Sequence, residues 1–212
     1  MSDDGRVAQG SDAWKLQRCG SVGASDAPRV VRRTKTGYSA DRDSLMAEKV
    51  LERLTNTPFE KYKTQSMLQG TAREPEARLL YSMVRGVEVM EAGLVSHLAV
   101  KGAHASPDGY VSSGGLIEIK CPEPAKHLDT LLGETISNDH IVQMQWQMAC
   151  AVMPWCDYVS FNPDFPPAMQ LWIKRVHRDA KFISELEREI SIFIRELEAK
   201  VDKLSRRYAV AA

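Results

Sequence analysis

The sequence has no excess of charge of either sign: 28 Lys and Arg stand against 28 Asp and Glu. That balance does not exclude a polyanionic partner, because a local basic surface attracts phosphates whatever the sum elsewhere. Two clusters could form one, Arg29, Arg32, Arg33 and Lys35 in the first third and Lys61 with Lys63 further on. A solvated helix face accounts for either equally well. Cysteine is scarce. Cys19, Cys121, Cys150 and Cys156 form no CxxC pair, which fits reduced, structural thiols better than a disulfide framework or a zinc site. No apolar run approaches the roughly 18 residues of a membrane span, and no charged-then-apolar leader opens the chain, so a cytoplasmic protein is expected. Internal repeats and low-complexity tracts are also missing. What remains is 212 residues, 43% apolar and 26% charged, enough for one α/β domain with a sizeable core.

What the chain does have is the stretch from Ser106 to Cys121, SPDGYVSSGGLIEIKC. Ser112, Ser113, Gly114 and Gly115 predict a hairpin turn, with Asp108 at the end of one strand and Leu116 to Cys121 as the other. Side chains alternate across a strand, so Glu118 and Lys120 share one face and Ile117 and Ile119 the other. Asp108 then stands beside the acid and the amine. Two carboxylates brought together repel unless a cation lies between them, and their hard oxygens suit Mg²⁺ or Mn²⁺ better than Zn²⁺. An ion held there can polarise a phosphodiester and lower the pKa of a bound water, which Lys120 could position or help deprotonate. An edge hairpin with a solvated Glu–Lys pair, worth a few tenths of a kcal/mol, accounts for the same letters.

Pro107-Asp108, nine residues, then Glu118-Ile119-Lys120 resembles the PD...(D/E)xK signature of the restriction-endonuclease-like nucleases. The longer string SPDG...GLIEIKCP, Ser106 to Pro122, is similar to the YqaJ-type viral recombinase exonucleases typified by phage lambda exonuclease. Trp14-Lys15-Leu16-Gln17-Arg18 with Gly23-Ala24-Ser25, then Gly70-Thr71-Ala72-Arg73-Glu74, then Gln143-Met144-Gln145-Trp146 match that family in the same order, so the resemblance spans about residues 13 to 175. It implies a restriction-endonuclease-like α/β core, a central mixed sheet flanked by helices. It further implies that Asp108 and Glu118 hold Mg²⁺, with Mn²⁺ as substitute, together with the backbone carbonyl of Ile119. By the same resemblance Glu74 assists and Lys120 activates the water. Arg18, Ser25 and Ser106 would bind a 5′-terminal phosphate, Gln145 would reach the site and the DNA phosphate, and Lys35 would lie on the incoming duplex. Met67 or Leu68 would be an apolar wedge that parts the terminal base pair. Plainer explanations exist: a helix cap for Ser25, a dipole-favoured acid for Glu74, an amide satisfied by backbone for Gln145, and core packing for Met67.

The activity that the resemblance implies is 5′-to-3′ digestion of one strand of linear duplex DNA from a 5′-phosphate end. Mononucleotides are released, and 3′ overhangs remain for phage-type recombination by single-strand annealing. A homotrimeric ring and a phage single-strand annealing protein as partner are implied as well. Two alternatives keep the fold: an endonuclease, which cuts closed circles, and a non-catalytic DNA-binding or assembly module, which has no need of a complete Asp, Glu and Lys set.

Along the chain, residues 1–12 read as a mobile tail and 13–212 as one nuclease domain. Ser25 is placed to cap a helix starting near Asp26, whose exposed N–H groups would attract an anion beside Arg18. Helical spacing marks 41–54, then 66–84 with a kink or restart at Gly70 and Pro75. Strands over 87–90 and 94–100 would lead into the hairpin as a meander, with His97 and His104 as ordinary polar residues. Pro122 and Pro124 stop the last hairpin strand. A helix over 138–153, strands over 156–161 and 169–176, and a long amphipathic helix over 179–204 complete the reading.

Overall fold

The computed structural model describes residues 10–60, 62 and 64–208. Residues 1–9, most of the expected tail, lie outside these, as do Lys61 and Lys63. The last part of that stretch is already ordered: Ser11 accepts a hydrogen bond from Trp14 N at 3.2 Å and caps α1, Asp12–Arg18. Next, α2 (Ala27–Val31) begins a residue later than expected, with Asp26 rather than Ser25 at its N-cap. The Asp26 carboxylate accepts from Gly23 N at 3.2 Å and lies 3.5 Å from Lys49. The Asp26 carboxylate, rather than open N–H groups, thus occupies the helix start, while Arg18 and Ser25 line the cleft described below.

A two-strand ribbon, β1 (Arg33–Thr34) and β2 (Gly37–Tyr38), leads into α3 (Ala40–Thr55). Here the first basic cluster is consumed. Arg29 makes two hydrogen bonds to Glu48 at 2.9 and 2.8 Å, Arg32 pairs with Asp41 and Asp139, and Arg33 lies 3.3 Å from Glu189. These pairs tie α2 and α3 to neighbouring helices. Lys35 stays exposed in the β1–β2 turn.

The helix over 66–84 is a single one, α4, Gln65–Arg85, which runs through Pro75 without a restart. The ring costs one intrahelical bond and about 3 kcal/mol. Burial of Ala77 and Tyr81 against the sheet, a Thr64 cap and a left-handed Gly86 at φ 63° oppose that cost. A Cβ at Gly70 would stand 3.4 Å from the Cys121 carbonyl, so α4 crosses closely over the end of the central hairpin.

Five strands form the main sheet in the order β3 (Val89–Met90), β6 (Gly109–Val111), β7 (Gly115–Lys120), β8 (Trp155–Phe161), β9 (Leu171–His177). Only the β7–β8 join is parallel. The expected meander is cut short. His97 Nδ1 accepts from Ala99 N and Val100 N at 3.1 and 3.0 Å, bending the chain. What was read as a strand over 94–100 is therefore only β4 (Val95–Ser96), which pairs with β5 (His104–Ala105) outside the main sheet.

Between β7 and β8 the chain crosses over through α5 (Pro124–Gly133) and α6 (Asn138–Ala151). Of these α5 was not expected: Pro124, read as a strand stop, also occupies the first turn of a helix, where its missing N–H costs nothing. Ile117 and Ile119 pack with Ala77 and Tyr81 of α4, while Leu116 packs with Met144 and Met148 of α6. The last helix, α7 (Ala180–Tyr208), packs across its own chain, burying Ile183, Leu186, Ile190, Phe193, Ile194 and Leu197. Among the described residues no helix is long and apolar enough to cross a membrane.

Candidate active site

The alternation in β7 carries Glu118 and Lys120 to the α6 face, and the register of the hairpin carries Asp108 alongside. Asp108 N donates to Ile117 O at 3.2 Å, and Ile119 N donates to Asp108 Oδ2 at 2.6 Å. Glu118 is 1% exposed. Its Oε1 accepts from Gln143 Nε2 at 2.7 Å and from Lys120 Nζ at 2.5 Å, and its Oε2 from Gln147 Nε2 at 2.5 Å.

Burial pushes the Asp108 carboxyl well above its usual range, and Glu118 and then Glu74 push it further, against Lys120 and the Ile119 N–H. Glu74 is raised for the same first reason, with Lys120 opposing and Glu118 adding. Burial by itself would lower the Lys120 ammonium; Glu118 and Asp108 more than reverse this and hold it raised. Three acids thus face one ammonium across a desolvated cleft.

That cleft, of about 190 Å³, is lined by Asp108, Glu118, Ile119, Lys120 and Glu74 together with Arg18, Trp14, Ser25, Ser106 and Gln143. The hairpin triad, Glu74 and the residues expected at a terminal phosphate therefore share one cavity. Arg18 lies over the Trp14 ring at 4.0 Å, and Trp14 Nε1 donates to Ser106 Oγ at 3.3 Å. Lys35 and Met67 do not line the cleft; Met67 and Leu68 are 55% and 54% exposed, so core packing does not explain them.

Gln145 is a correction. Its Nε2 donates to His177 O at 2.8 Å, and its Oε1 accepts from Asp179 N at 3.0 Å, which ties the β9–α7 junction. It does not line the cleft. The glutamines that grip Glu118 are Gln143 and Gln147, four apart and so on one face of α6. That i, i+4 pair was present in the sequence.

The donor set fits a hard divalent cation. Asp108 Oδ1 accepts no hydrogen bond among the described residues, and Glu118 Oε2 keeps a lone pair, so oxygen donors remain where the carboxylates repel each other. Among the described residues no three His, Cys, Asp or Glu side chains form a ready-made ion cluster. A main-chain carbonyl such as that of Ile119 would have to complete the set. All four cysteines are free, and burial pushes the Cys121 thiol beside the cleft up to about 12.

A mixed sheet whose central hairpin presents Asp, Glu and Lys under a crossover helix is the architecture of the PD...(D/E)xK nucleases. More narrowly, the chain belongs to the YqaJ-like viral recombinase domain family, whose model matches residues 13–154. It is similar to LHK-Exo, an alkaline exonuclease from Laribacter hongkongensis: 41% identity over 94% of this chain and 98% of that one, with a TM-score of 0.88 for the complex with dAMP. A phage-related exonuclease from Haemophilus somnus 129PT shares the fold at 14% identity, with a TM-score of 0.73 over 87% of this chain and 96% of that one. Among curated proteins nothing matches.

Proposed function

We propose that the chain is a metal-dependent exonuclease that digests one strand of linear duplex DNA from a 5′-phosphate end, in the 5′-to-3′ direction. The observation that carries this is one cleft lined by two unlike sets of groups: Asp108, Glu118 and Lys120, and with them Arg18 and Ser106. Acids beside one ammonium suit a phosphodiester only with a divalent cation, whereas an arginine fork with hydroxyls suits a terminal phosphate. Family membership and the likeness to LHK-Exo support the exonuclease reading. That relative was crystallised with dAMP, a mononucleotide of the kind an exonuclease releases.

In this reading Asp108, Glu118 and the Ile119 carbonyl hold Mg²⁺ or Mn²⁺, assisted by Glu74. When bound, the ion supplies an activated water and neutralises charge on the phosphoryl oxygens. The chain's own residues do the rest. Gln143 and Gln147 fix the Glu118 carboxylate, and Lys120, a cation paired with Glu118, donates hydrogen bonds and orients the water. Exposed Met67 serves as the wedge between terminal bases, and Lys35 contacts the incoming duplex. The products are 3′ overhangs for single-strand annealing in phage-type recombination, a role that goes with a trimeric ring, an annealing partner and a cytoplasmic setting.

The test is an end-labelled digestion with Mg²⁺, and with EDTA as control. Linear duplex is expected to shorten from its 5′ ends to mononucleotides while closed circles survive. Cutting of circles at the same rate would replace this reading with an endonuclease.

A further inference from the structure

We propose that His104 is a positioning residue for Arg18, and that this uncharged histidine, more than any carboxylate, gives the cleft its preference for a terminal phosphate. The proposal rests on the terminal-phosphate reading above. Arg18 ends α1, and its Nε donates to His104 Nε2 at 3.0 Å. An arginine Nε always carries hydrogen, so His104 Nε2 must accept and the imidazole proton must sit on Nδ1. Nδ1 then donates to Ser21 Oγ, 2.9 Å away, and Ser21 Oγ donates to the Arg18 carbonyl at 2.8 Å. The chain of bonds closes on itself: Arg18 side chain, His104, Ser21, Arg18 main chain.

Three further observations bear on the same point. His104 is 3% exposed, and burial, then the Arg18 charge, lower its pKa to about 3, with Asp26 opposing and Lys49 adding. It remains an acceptor at any working pH. Gly23 leaves room for the pair, since a Cβ there would stand 3.0 Å from His104 Nε2 and 3.1 Å from Arg18 Nη2. His104 and Ser106 lie two residues apart, so β5 and the residue that follows it orient the arginine and also present the hydroxyl that takes the Trp14 N–H.

With its Nε edge on His104 and its flat face on Trp14, the guanidinium has one direction left. Nη1 and Nη2 have no hydrogen-bond partner among the described residues, and the side chain lines the cleft. A carboxylate on Nε would hold the arginine as firmly but would cancel the charge that a dianionic phosphate monoester needs. A neutral imidazole fixes the fork and leaves its charge intact.

The experiment compares kcat and KM on linear duplexes ending in 5′-phosphate or 5′-hydroxyl for the intact protein, Arg18→Ala, His104→Leu, His104→Gln and Ser21→Ala. Arg18→Ala is expected to abolish the preference. His104→Leu should reduce it roughly tenfold, the size of one lost charge-assisted hydrogen bond, with the loss in KM for phosphate ends rather than in kcat. His104→Gln should restore most of it, because its amide oxygen can accept from Arg18 Nε. If His104→Leu does not fold, Ser21→Ala decides, with an expected drop of roughly threefold in the same ratio. An unchanged ratio in His104→Leu or Ser21→Ala, or equal losses on both kinds of end, overturns the inference and leaves the terminal-phosphate reading standing. Equal rates on both ends by the intact protein would remove that reading and this inference with it.

Discussion

Glu118 and Asp157 sit on the adjoining parallel strands β7 and β8, one register step apart, with 1% and 0% exposure. They face opposite sides of the sheet and have opposite company. Asp157 accepts from Arg175 twice, at 2.8 and 2.9 Å, and from the Tyr81 hydroxyl at 2.8 Å. A bidentate guanidinium and a phenol complete it, and the cluster does not border the cleft. Glu118 is held by two neutral amides and one ammonium, with Asp108 and Glu74 as further acids nearby. A buried acid matched by its own cation is part of the scaffold, whereas one left in acidic excess is arranged for a cation from outside.

The largest test of that contrast removes the ammonium. Lys120→Ala should lower turnover at least about 10³-fold, roughly 4 kcal/mol, with duplex affinity kept; a variant that still digests end-labelled DNA would put Glu118 in the same class as Asp157. Arg175→Leu should do the reverse. It leaves Asp157 buried without its cation and should cost about 3 kcal/mol in urea unfolding, with activity per folded molecule intact.

His104 sharpens the comparison as a buried group kept free of charge. Its folded pKa of about 3 lies below the unfolded value of about 6.5, so the unfolded chain binds the extra proton between them. Stability should be full above pH 6.5 and lost as pH falls towards 3, by roughly 2 to 3 kcal/mol at pH 4.5. Denaturation at pH 7 and 4.5 measures it, and His104→Gln should flatten that part of the difference. The smallest effect belongs to Gln147→Leu. It deprives Glu118 Oε2 of its donor and should cost about 1 kcal/mol of stability and about tenfold in turnover; an unchanged rate would mean that Gln143 and Lys120 suffice to hold the carboxylate.

What could be read from the letters was what is local. The hairpin, its alternation and the meeting of Asp108 with Glu118 follow from a turn and a two-residue period. Which glutamine of the α6 run faces β7 depends on how that helix rolls against the sheet, so Gln145 was indistinguishable from Gln143 until packing decided. The cluster from Arg29 to Lys35 looked like free charge because Glu48, Asp139 and Glu189, its partners, lie far along the chain. His104 looked ordinary for the same reason: its meaning comes from Arg18, 86 residues away. Asp157 gave no sign of its pairing because Arg175 and Tyr81 reach it from different elements.

The one parallel join in the sheet also bears on the order of events during folding. Asp108 and Ile119 meet across a hairpin and can do so as soon as that short segment collapses. Gln143 and Gln147, 25 and 29 residues along the chain from Glu118, reach it only once the crossover has closed and α6 has docked on the sheet. A chain still leaving the ribosome can therefore hold its acids together before it can steady them, and full competence should arrive late, with the docking of a helix rather than with the turn.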